Sequence, residues 1–293
     1  MRLILAMLYP YDMQTISTIN LNHTINSGQV FLWDKIGDKW VGINGDELLV
    51  IREPFQIISS QKKASHFFRL DDNVSKTLSE ISKDSLVGKA VKQFPGLRLL
   101  RQDPFQCYIS FICSSNSSIQ NIRNMLTRLC VKFGNKIEFG NHEFFTFPSA
   151  ERLVKATTKD FLSCGLGFRA KYVKDAVKAV NSGKIKFEDL RKSDYKSSSE
   201  TLKTIYGIGN KIADCILLFS LDKLESFPID RWTQRILEKY YPKIFDSAGG
   251  KSLTEKKYEV LHEKIVDYFG PYAGYSQQFL FKLERDLNRK KWL

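Results

Sequence analysis

Hydrophobic and polar positions alternate with a period of two in the stretch VFLWDKIGDKWVGINGDELLVI, which covers residues 30–51. Alternation of this kind is typical of β-strands with one face toward a core. The dipeptides Gly-Asp at 37–38 and Asn-Gly at 44–45 interrupt it, and Asn-Gly suits a two-residue hairpin turn best. Residues 1–95 are therefore predicted to form an antiparallel sheet domain, with core and cross-strand positions at Trp33, Trp40, Val41 and Ile43.

From Ser85 onward, the apolar positions follow a helical period instead. Asp103 precedes Pro104 in the order typical of an N-cap and a first helical residue. The stretch FRAKYVKDAVKAV (168–180) is predicted to be a helix that ends at the following Asn-Ser-Gly, because glycine readily closes a helix. One apolar stripe predicts another helix with Ile119, Ile122, Met125, Leu126 and Leu129. The predicted fold class is α+β, with an all-helical domain over residues 96–293.

The stretch GIGNKIADCILLFSLDKLESFPIDRW at residues 207–232 predicts a glycine hairpin, an apolar helix and a return to an aspartate. Gly207 and Gly209 allow a tight turn and a close approach of the backbone to another molecule. The helix that follows begins with unpaired N–H groups, which suit a DNA phosphate. Residues 203–215 are therefore predicted to form a helix-hairpin-helix, a motif that grips the DNA backbone without reading its sequence.

Lys211 and Asp230 are the candidate chemical pair within this stretch. Lys211 stands at a helix start, where the helix dipole disfavours a cation, so it is predicted to be biased toward the neutral, nucleophilic amine. A helix over 210–222 is about 18 Å long. Residues 223–229 span at most about 25 Å, so they can return Asp230, the predicted cap of the next helix, to that start. The pair suits attack at a sugar carbon; a phosphate contact and a plain helix cap are the simpler interpretations.

The composition favours a polyanionic partner. Of 293 residues, 45 are basic and 32 acidic, and the net charge of +13 indicates nucleic acid ahead of an acidic membrane. The five cysteines form no Cys-x-x-Cys pair and the four histidines are scattered, so reduced core thiols and no metal site are expected. The opening MRLILAML lacks a cleavage region, and no apolar run approaches the roughly 20 residues of a membrane span. We expect a soluble, intracellular protein.

Five blocks besides residues 207–232 resemble the 8-oxoguanine DNA glycosylase/AP lyase family of the helix-hairpin-helix/Gly-Pro-Asp superfamily, in the family's order. They are NSGQVFLW (26–33), GLRLLRQDPFQC (96–107), SFICSSNSSI (110–119), CGLGFRAKYV (164–173) and FGPYAGYSQQFLF (269–281). The resemblance implies an enzyme that excises 8-oxoguanine and related oxidised purines from duplex DNA and then cleaves the strand by β-elimination. It makes Lys211 the nucleophile at C1′ that forms a Schiff base, and Asp230 the carboxylate that stabilises glycosidic cleavage.

The resemblance also implies how the damaged base is recognised. The base is flipped out of the duplex and lies between Cys215 and Phe281. The carbonyl of Gly28 accepts a hydrogen bond from N7–H of 8-oxoguanine, a hydrogen that guanine lacks. Gln277 reads the pairing edge of the base, since its amide both donates and accepts hydrogen bonds.

Other matched residues concern the opposite strand. Phe168 stands where the family has a tyrosine that fills the gap left by the flipped base, and it lacks the hydroxyl. Asn116 and Arg169 match residues that contact the opposite cytosine. Asn121 replaces the arginine that the family uses for the same purpose, so a weaker preference for cytosine is expected.

The phosphate contacts are assigned to Gly207 and Gly209 of the hairpin and to Arg231 and Trp232. Tyr206 replaces the proline of the family's hairpin, which removes a rigid residue but keeps the backbone contacts. Trp232 replaces a histidine that contacts a phosphate, and Arg231 is expected to compensate. No cofactor is implied, although the family allows a structural monovalent or divalent cation on the hairpin carbonyls.

Two other hypotheses remain open. An alkylated-base DNA glycosylase of the same superfamily shares the sheet domain and the aspartate but lacks the lysine, and a non-catalytic helix-hairpin-helix DNA-binding module would keep only the hairpin. An endonuclease III-like glycosylase is disfavoured because no cysteine follows Cys215. The expected partner is double-stranded DNA that contains oxidised purines, bound by a monomer without membrane association.

Overall fold

The computed structural model describes residues 19–245 and 253–288, so the opening MRLILAML lies outside the described residues. The chain divides into two compact units, each built from two separate stretches of sequence. The first unit is Met1–Val74 with Pro95–Lys178, and the second is Ser75–Phe94 with Ala179–Leu293. The domain boundary after residue 95 stays a prediction, because a sequence domain and a compact unit are different divisions of a chain.

Most of the regular structure is helical, and the strands form two antiparallel sheets. The strands are β1 (Trp33–Ile36), β2 (Lys39–Asn44), β3 (Glu47–Arg52), β4 (Gln56–Ile57), β5 (Lys136–Phe139) and β6 (His142–Phe145). The helices are α1 (Leu21–Ile25), α2 (Gln61–Phe67), α3 (Val74–Ile81), α4 (Ser85–Gln93), α5 (Pro104–Cys113), α6 (Ile119–Phe133), α7 (Ala150–Leu153), α8 (Thr158–Ser163), α9 (Arg169–Asn181), α10 (Phe187–Lys192), α11 (Tyr195–Lys203), α12 (Asn210–Ser220), α13 (Arg231–Tyr240), α14 (Glu255–Phe269) and α15 (Ala273–Leu287). Over the two described ranges, no helix has the length and apolar character needed to cross a membrane.

The predicted sheet is confirmed in the first unit, where β1 to β4 pair antiparallel in chain order. Its first hairpin turn falls at the predicted Gly37-Asp38, whereas the second covers Gly45 and Asp46, one residue after the predicted Asn44-Gly45. Gly37 and Gly45 have φ of 60° and 64°. The four predicted core positions of the sheet are all buried. Trp33 and Trp40 join an apolar cluster with residues of α1 and α2, and Trp33 stacks on Phe67 with ring centroids 5.3 Å apart. Aromatic packing therefore attaches these two helices to the sheet.

The predicted helix boundaries are also confirmed. Asp103 caps α5 by accepting a hydrogen bond from the backbone N–H of Gln106 at 2.8 Å, with Pro104 at the first helical position. The stripe on α6 is buried except for Ile119, which is half-buried. The helix α9 ends two residues before Gly183, whose φ is 75°.

The β5–β6 hairpin interrupts the part of the chain that was predicted to be wholly helical. Its strands pair antiparallel, and the turn contains Gly140 with a φ of 59°. In KIEFGNHEFF (136–145), the first four residues alternate between polar and apolar, Gly-Asn follows, and two phenylalanines end the stretch. This is a local strand signal that the sequence analysis did not use.

Helix α4 and all of α3 except Val74 belong to the second unit, in which Asp84 joins α4 to the C-terminal helices by polar contacts. This carboxylate caps α4 by accepting hydrogen bonds from the backbone of Leu86 and Val87. It also accepts from the hydroxyl groups of Tyr241 at 2.8 Å and Tyr268 at 3.0 Å. The stretch between the two parts of the first unit therefore packs with the C-terminal helices.

Gly42 offers a direct test of the packing in the first unit. It pairs with Trp33 across β1 and β2, and a Cβ added there would lie 2.1 Å from the Trp33 ring. Because the ring is stacked on Phe67, Gly42→Ala is expected to lower the free energy of unfolding by about 1–3 kcal/mol, as measured by urea denaturation. Gly37→Asn is the control: asparagine tolerates its φ, and among described residues no atom lies within 4 Å of an added Cβ. Equal losses in the two variants would show that the Trp33 ring moves aside.

Candidate active site

The predicted helix-hairpin-helix joins α11 to α12. Gly207 has a φ of 92°, a left-handed conformation that glycine adopts without steric cost. Gly209 is extended and contributes no side-chain cap to α12, and an added Cβ there would meet no described atom within 4 Å. Tyr206 is 58% exposed. The turn therefore leaves room for an acceptor at the start of α12, where backbone N–H groups favour an anion.

Lys211 lies in the first turn of α12 and is half-buried. Burial lowers its pKa, but the Cys215 sulfur and the Asp230 carboxylate raise it, and the net direction is upward. This net direction runs against the predicted bias toward the neutral amine. Lys211 rests as an ammonium group and must lose a proton before it can act as a nucleophile.

Cys215 follows Lys211 by one helical turn, so both side chains project from one face of α12. Cys215 is buried, and burial raises the pKa of its thiol to about 12, even though Lys211 acts in the other direction. The thiol is therefore uncharged at neutral pH. Asp230 supplies the negative charge that Lys211 meets under those conditions.

Asp230 is the N-cap of α13, as predicted. Its Oδ1 accepts hydrogen bonds from the backbone N–H groups of Trp232 at 3.0 Å and Thr233 at 2.8 Å. Residues 221–230 return from the end of α12 and bring the carboxylate close enough to raise the pKa of Lys211. The starts of two helices thus hold the predicted amine and carboxylate together.

Gln277 and Phe281 lie one turn apart on α15 and so share a face of that helix. The Nε2 atom of Gln277 donates to Oγ1 of Thr233 at 3.4 Å. Its Oε1 atom is buried and has no hydrogen-bond partner among the described residues. Because buried acceptors are rarely left unpaired, this oxygen is a candidate acceptor for a bound base. Phe281 is half-buried.

Gly28 lies in the first unit, between α1 and β1, with a φ of 95° that requires glycine. The neighbouring Gln29 is buried. Its Nε2 donates to the carbonyl of Arg98 at 2.7 Å, and its Oε1 accepts from the backbone of Leu100 at 2.8 Å. Gln102 donates to the carbonyl of Gln29 at 2.9 Å. The role of the Gly28 carbonyl stays a prediction, but the adjacent backbone is firmly held.

Arg169 and Asn116, candidates for the contact with the opposite base, are joined by hydrogen bonds. Arg169 is only 9% exposed, and its guanidinium donates to the carbonyls of Ser115 at 2.8 Å and Asn116 at 3.0 Å. Asn116 is exposed and has a φ of 51°, so Arg169 supports a left-handed turn at that residue. Its direct contact with an opposite base stays a prediction.

Phe168 and Asn121 are exposed side chains of the same unit. Phe168 is 55% exposed, and the guanidinium carbon of Arg169 lies 4.4 Å from the centre of its ring. An exposed aromatic ring of this size suits insertion into a base stack. Asn121 lies in the first turn of α6. The roles of both residues stay predictions.

Arg231 and Trp232 follow Asp230 in the first turn of α13. Arg231 is exposed, and Trp232 is half-buried. The guanidinium of Arg235 lies over the Trp232 ring at 4.9 Å, a cation–π arrangement. Arg235 was missed by the sequence analysis, although its spacing of three residues from Trp232 was visible. The start of α13 therefore carries two arginines that suit DNA phosphates.

The five cysteines are buried and carry free thiols, as predicted. Across the described ranges, no group of three or more His, Cys, Asp and Glu side chains is arranged to hold a metal ion. A cation on the hairpin carbonyls would use backbone oxygens instead, and that site stays a prediction.

Comparisons with known proteins show the family to which the chain belongs. A family model described as 8-oxoguanine DNA glycosylase, N-terminal domain, matches residues 13–108, and one described as HhH-GPD superfamily base excision DNA repair protein matches residues 109–262. The chain is 32% identical to the N-glycosylase/DNA lyase OGG1 of Arabidopsis thaliana, over 92% of this chain and 78% of the relative. The chain belongs to the 8-oxoguanine DNA glycosylase family.

Two solved structures share the glycosylase fold. A structure of MBOgg1 in complex with a low-affinity DNA ligand has a TM-score of 0.84 and 32% identity, covering 93% of this chain and 94% of that one. The Clostridium acetobutylicum 8-oxoguanine glycosylase/lyase, in complex with double-stranded DNA containing cytosine opposite 8-oxoguanine, has a TM-score of 0.83 and 30% identity. It covers 92% of this chain and 93% of that one. The family and fold inferred from the sequence are confirmed.

The sequence analysis missed several side chains that hold the glycosylase's candidate residues. Gln29 lies beside Gly28 in a quoted block, and Gln102 lies in another. Thr233 bonds to both Asp230 and Gln277. Apart from the bond between Thr233 and Asp230, these contacts join residues that are distant in sequence, so only the fold reveals them.

Replacing Asp230 by asparagine removes the negative charge and keeps the shape of the side chain, so it tests the effect of the charge alone. Asparagine caps helices as well as aspartate does, so Asp230→Asn should keep α13 intact. Base excision should slow by on the order of 10² in single-turnover assays, because a preorganised charge is lost. The pKa of Lys211 should fall, because one of its raising neighbours is neutralised. Borohydride trapping on a preformed abasic site should therefore move to lower pH.

Asp194→Asn is the matched control for this variant. Asp194 caps α11 in the same manner, accepting from the backbone N–H of Ser197 at 2.9 Å. Both its excision rate and its trapping profile should equal those of the wild type. If Asp230→Asn also matches the wild type in both assays, Asp230 is only a helix cap.

Proposed function

We propose that this protein is a bifunctional DNA repair enzyme that excises 8-oxoguanine from duplex DNA and cleaves the strand as an AP lyase. The observation that carries the proposal is the pairing of Lys211 with Asp230 at two helix starts, next to a helix-hairpin-helix. The Arabidopsis relative is an N-glycosylase/DNA lyase, and the Clostridium protein is an 8-oxoguanine glycosylase/lyase. Both support the assignment.

The reaction begins when Lys211 loses its proton. Its Nζ then forms a bond to C1′ of the damaged nucleotide, and the base leaves with the electron pair of the N-glycosidic bond. Positive charge develops on the sugar during this step, and the Asp230 carboxylate stabilises it. Opening of the sugar ring gives a Schiff base. That group acidifies the hydrogen on C2′, whose removal expels the 3′ phosphate by β-elimination.

The damaged base is proposed to be held by four residues, Gly28, Gln277, Cys215 and Phe281. The Gly28 carbonyl accepts from N7–H, which selects 8-oxoguanine over guanine. The buried Oε1 of Gln277, an acceptor with no partner among the described residues, takes a donor on the pairing edge. Cys215 and Phe281 contact the two faces of the base.

The proposed substrate is double-stranded DNA that contains oxidised purines, bound by a monomer inside the cell. The net charge of +13 supports contacts with phosphates. The hairpin glycines Gly207 and Gly209, together with Arg231 and Trp232, are proposed to make those contacts. Phe168 is proposed to occupy the gap left by the flipped base.

The two alternative functions, alkylated-base glycosylase and non-catalytic DNA-binding module, each fail to explain some of the candidate residues. An alkylated-base glycosylase accounts for the sheet and for Asp230 but gives no role to Lys211. A non-catalytic DNA-binding module accounts for the hairpin but not for the placement of Lys211 near Asp230. Borohydride trapping on DNA separates the proposed lyase from both alternatives, because neither of them forms a Schiff base with the DNA.

Lys211→Gln tests the proposed nucleophile. The variant should lose the borohydride-trapped complex with 8-oxoguanine duplexes and nearly all base release, because glutamine cannot form a Schiff base. Affinity for the lesion duplex, measured by fluorescence anisotropy, should largely survive. Lys239→Gln is the control, since Lys239 is an exposed lysine of the same unit that pairs with Glu284 at 3.2 Å. Trapping that persists in Lys211→Gln would assign the nucleophile to another residue.

Asn121 is expected to weaken the preference for cytosine opposite the lesion. An arginine guanidinium that donates two hydrogen bonds to a base edge gives roughly 1–3 kcal/mol of discrimination between bases. Asparagine is shorter and neutral, and its amide can both donate and accept hydrogen bonds. We expect a wild-type preference for cytosine below about a hundredfold, and a rise of about tenfold in Asn121→Arg. Single-turnover rates against the four opposite bases measure both.

Asn124→Arg is the control for added charge, because Asn124 is exposed on the same helix, one turn further on. It should leave the preference unchanged. A wild-type preference already above about a hundredfold would mean that Asn116 and Arg169 suffice for discrimination.

A further inference from the structure

Asp214 is a fully buried carboxylate on α12, three residues after Lys211. The hydroxyl groups of Tyr195 and Tyr258 donate to its two oxygens at 2.6 Å and 2.5 Å. These lengths are typical of charge-assisted hydrogen bonds. Burial raises the pKa of Asp214 and sets the net direction, although the hydrogen bonds from the two phenols act in the opposite direction. The helix that carries Lys211 therefore holds a buried acceptor for two tyrosines.

Tyr258 makes a second hydrogen bond, to the return segment that leads to Asp230. Its hydroxyl oxygen accepts from the backbone N–H of Ile229 at 3.0 Å. The direction is set by chemistry, because an amide N–H can only donate, and the single hydroxyl hydrogen is directed to Asp214. Burial and the Asp214 carboxylate raise the pKa of Tyr258 well above its ordinary value, so the phenol keeps that hydrogen.

His262 holds the same segment two residues earlier. Its Nε2 accepts from the backbone N–H of Phe227 at 3.3 Å. The ring stacks on Tyr195 with centroids 4.5 Å apart, and it lies 3.9 Å from Oδ2 of Asp214. The residue between the two anchored amides is Pro228, which has no N–H. Side chains of α14 thus supply acceptors that a strand partner would otherwise supply.

We propose that Tyr258 is a positioning residue for catalysis, which sets the Asp230 carboxylate against Lys211, with His262 as a second attachment. Two hydrogen bonds connect the helix of Lys211 to the residue before Asp230. The Tyr258 hydroxyl donates to Asp214 on that helix and accepts from the amide of Ile229. A displacement of about 1 Å in a catalytic group can slow a reaction by about 10². The inference rests on the roles proposed above for Lys211 and Asp230.

Tyr258→Phe removes both hydrogen bonds and keeps the ring. We expect base excision in single-turnover assays to slow by about ten- to a hundredfold, with affinity for the lesion duplex unchanged within about twofold. Tyr268→Phe is the matched control, because Tyr268 lies on the same helix and donates to Asp84 instead. Its excision rate should equal that of the wild type.

The double variant Tyr258→Phe/Asp230→Asn tests whether Tyr258 acts on the excision rate through Asp230 or independently of it. If Tyr258 acts through Asp230, its loss should slow excision little further once the carboxylate is gone. An equal slowing with and without the carboxylate would overturn the proposal, as would a normal rate in Tyr258→Phe. A normal rate in Asp230→Asn alone would instead contradict the proposed role of Asp230.

His262 provides an independent pair of variants if Tyr258→Phe does not fold. His262→Gln keeps an acceptor oxygen for the Phe227 N–H, and His262→Leu keeps similar bulk without an acceptor. Excision by the leucine variant should be slower by about tenfold or more, with the glutamine variant close to the wild type. Equal rates in the two variants would show that the acceptor has no part in placing Asp230.

Discussion

The interaction between the side chains of Lys211 and Asp230 is the one on which the proposed chemistry of this glycosylase depends. Together with Cys215, the Asp230 carboxylate raises the pKa of the half-buried lysine against the effect of burial, although a nucleophile must be neutral. The same carboxylate is placed to stabilise positive charge on the sugar. In the proposed mechanism, one carboxylate therefore favours both the charged form of Lys211 before reaction and the positive charge that develops on the sugar.

Placing that carboxylate requires control of the backbone before it. Residues 221–230 form no strand, so hydrogen bonds from outside the segment must fix it. Side chains of α14 provide two of them, and Gly274 provides another, since its N–H donates to the carbonyl of Leu224 at 2.9 Å. An added Cβ on Gly274 would lie 2.7 Å from the carbonyl oxygen of Ser226. Glycine at this position therefore lets α15 approach the return segment closely.

In the first unit, hydrogen bonds from side chains likewise fix the backbone around Gly28. Gln29 and Gln102 are buried amides that bond to backbone rather than to each other. Buried polar groups of this kind specify one backbone arrangement, because any other arrangement leaves them unpaired. Arg169 does the same for the turn at Asn116. Residues adjacent to the proposed contacts thus determine where those contacts stand.

The sequence by itself determined the sheet and its turns, the caps of α5 and α13, the hairpin and the pairing of Lys211 with Asp230. These features depend on periodicity and short spacings, which are local properties of a chain. Only the tertiary structure decided the charge of Lys211, the internal use of Arg169 and the bridge from Asp214 through Tyr258. Each depends on burial or on partners that are distant in sequence, 44 residues apart for Tyr258 and Asp214 and 54 for Arg169 and Ser115. Burial and long-range pairing arise only when the chain has folded, so no local pattern carries them.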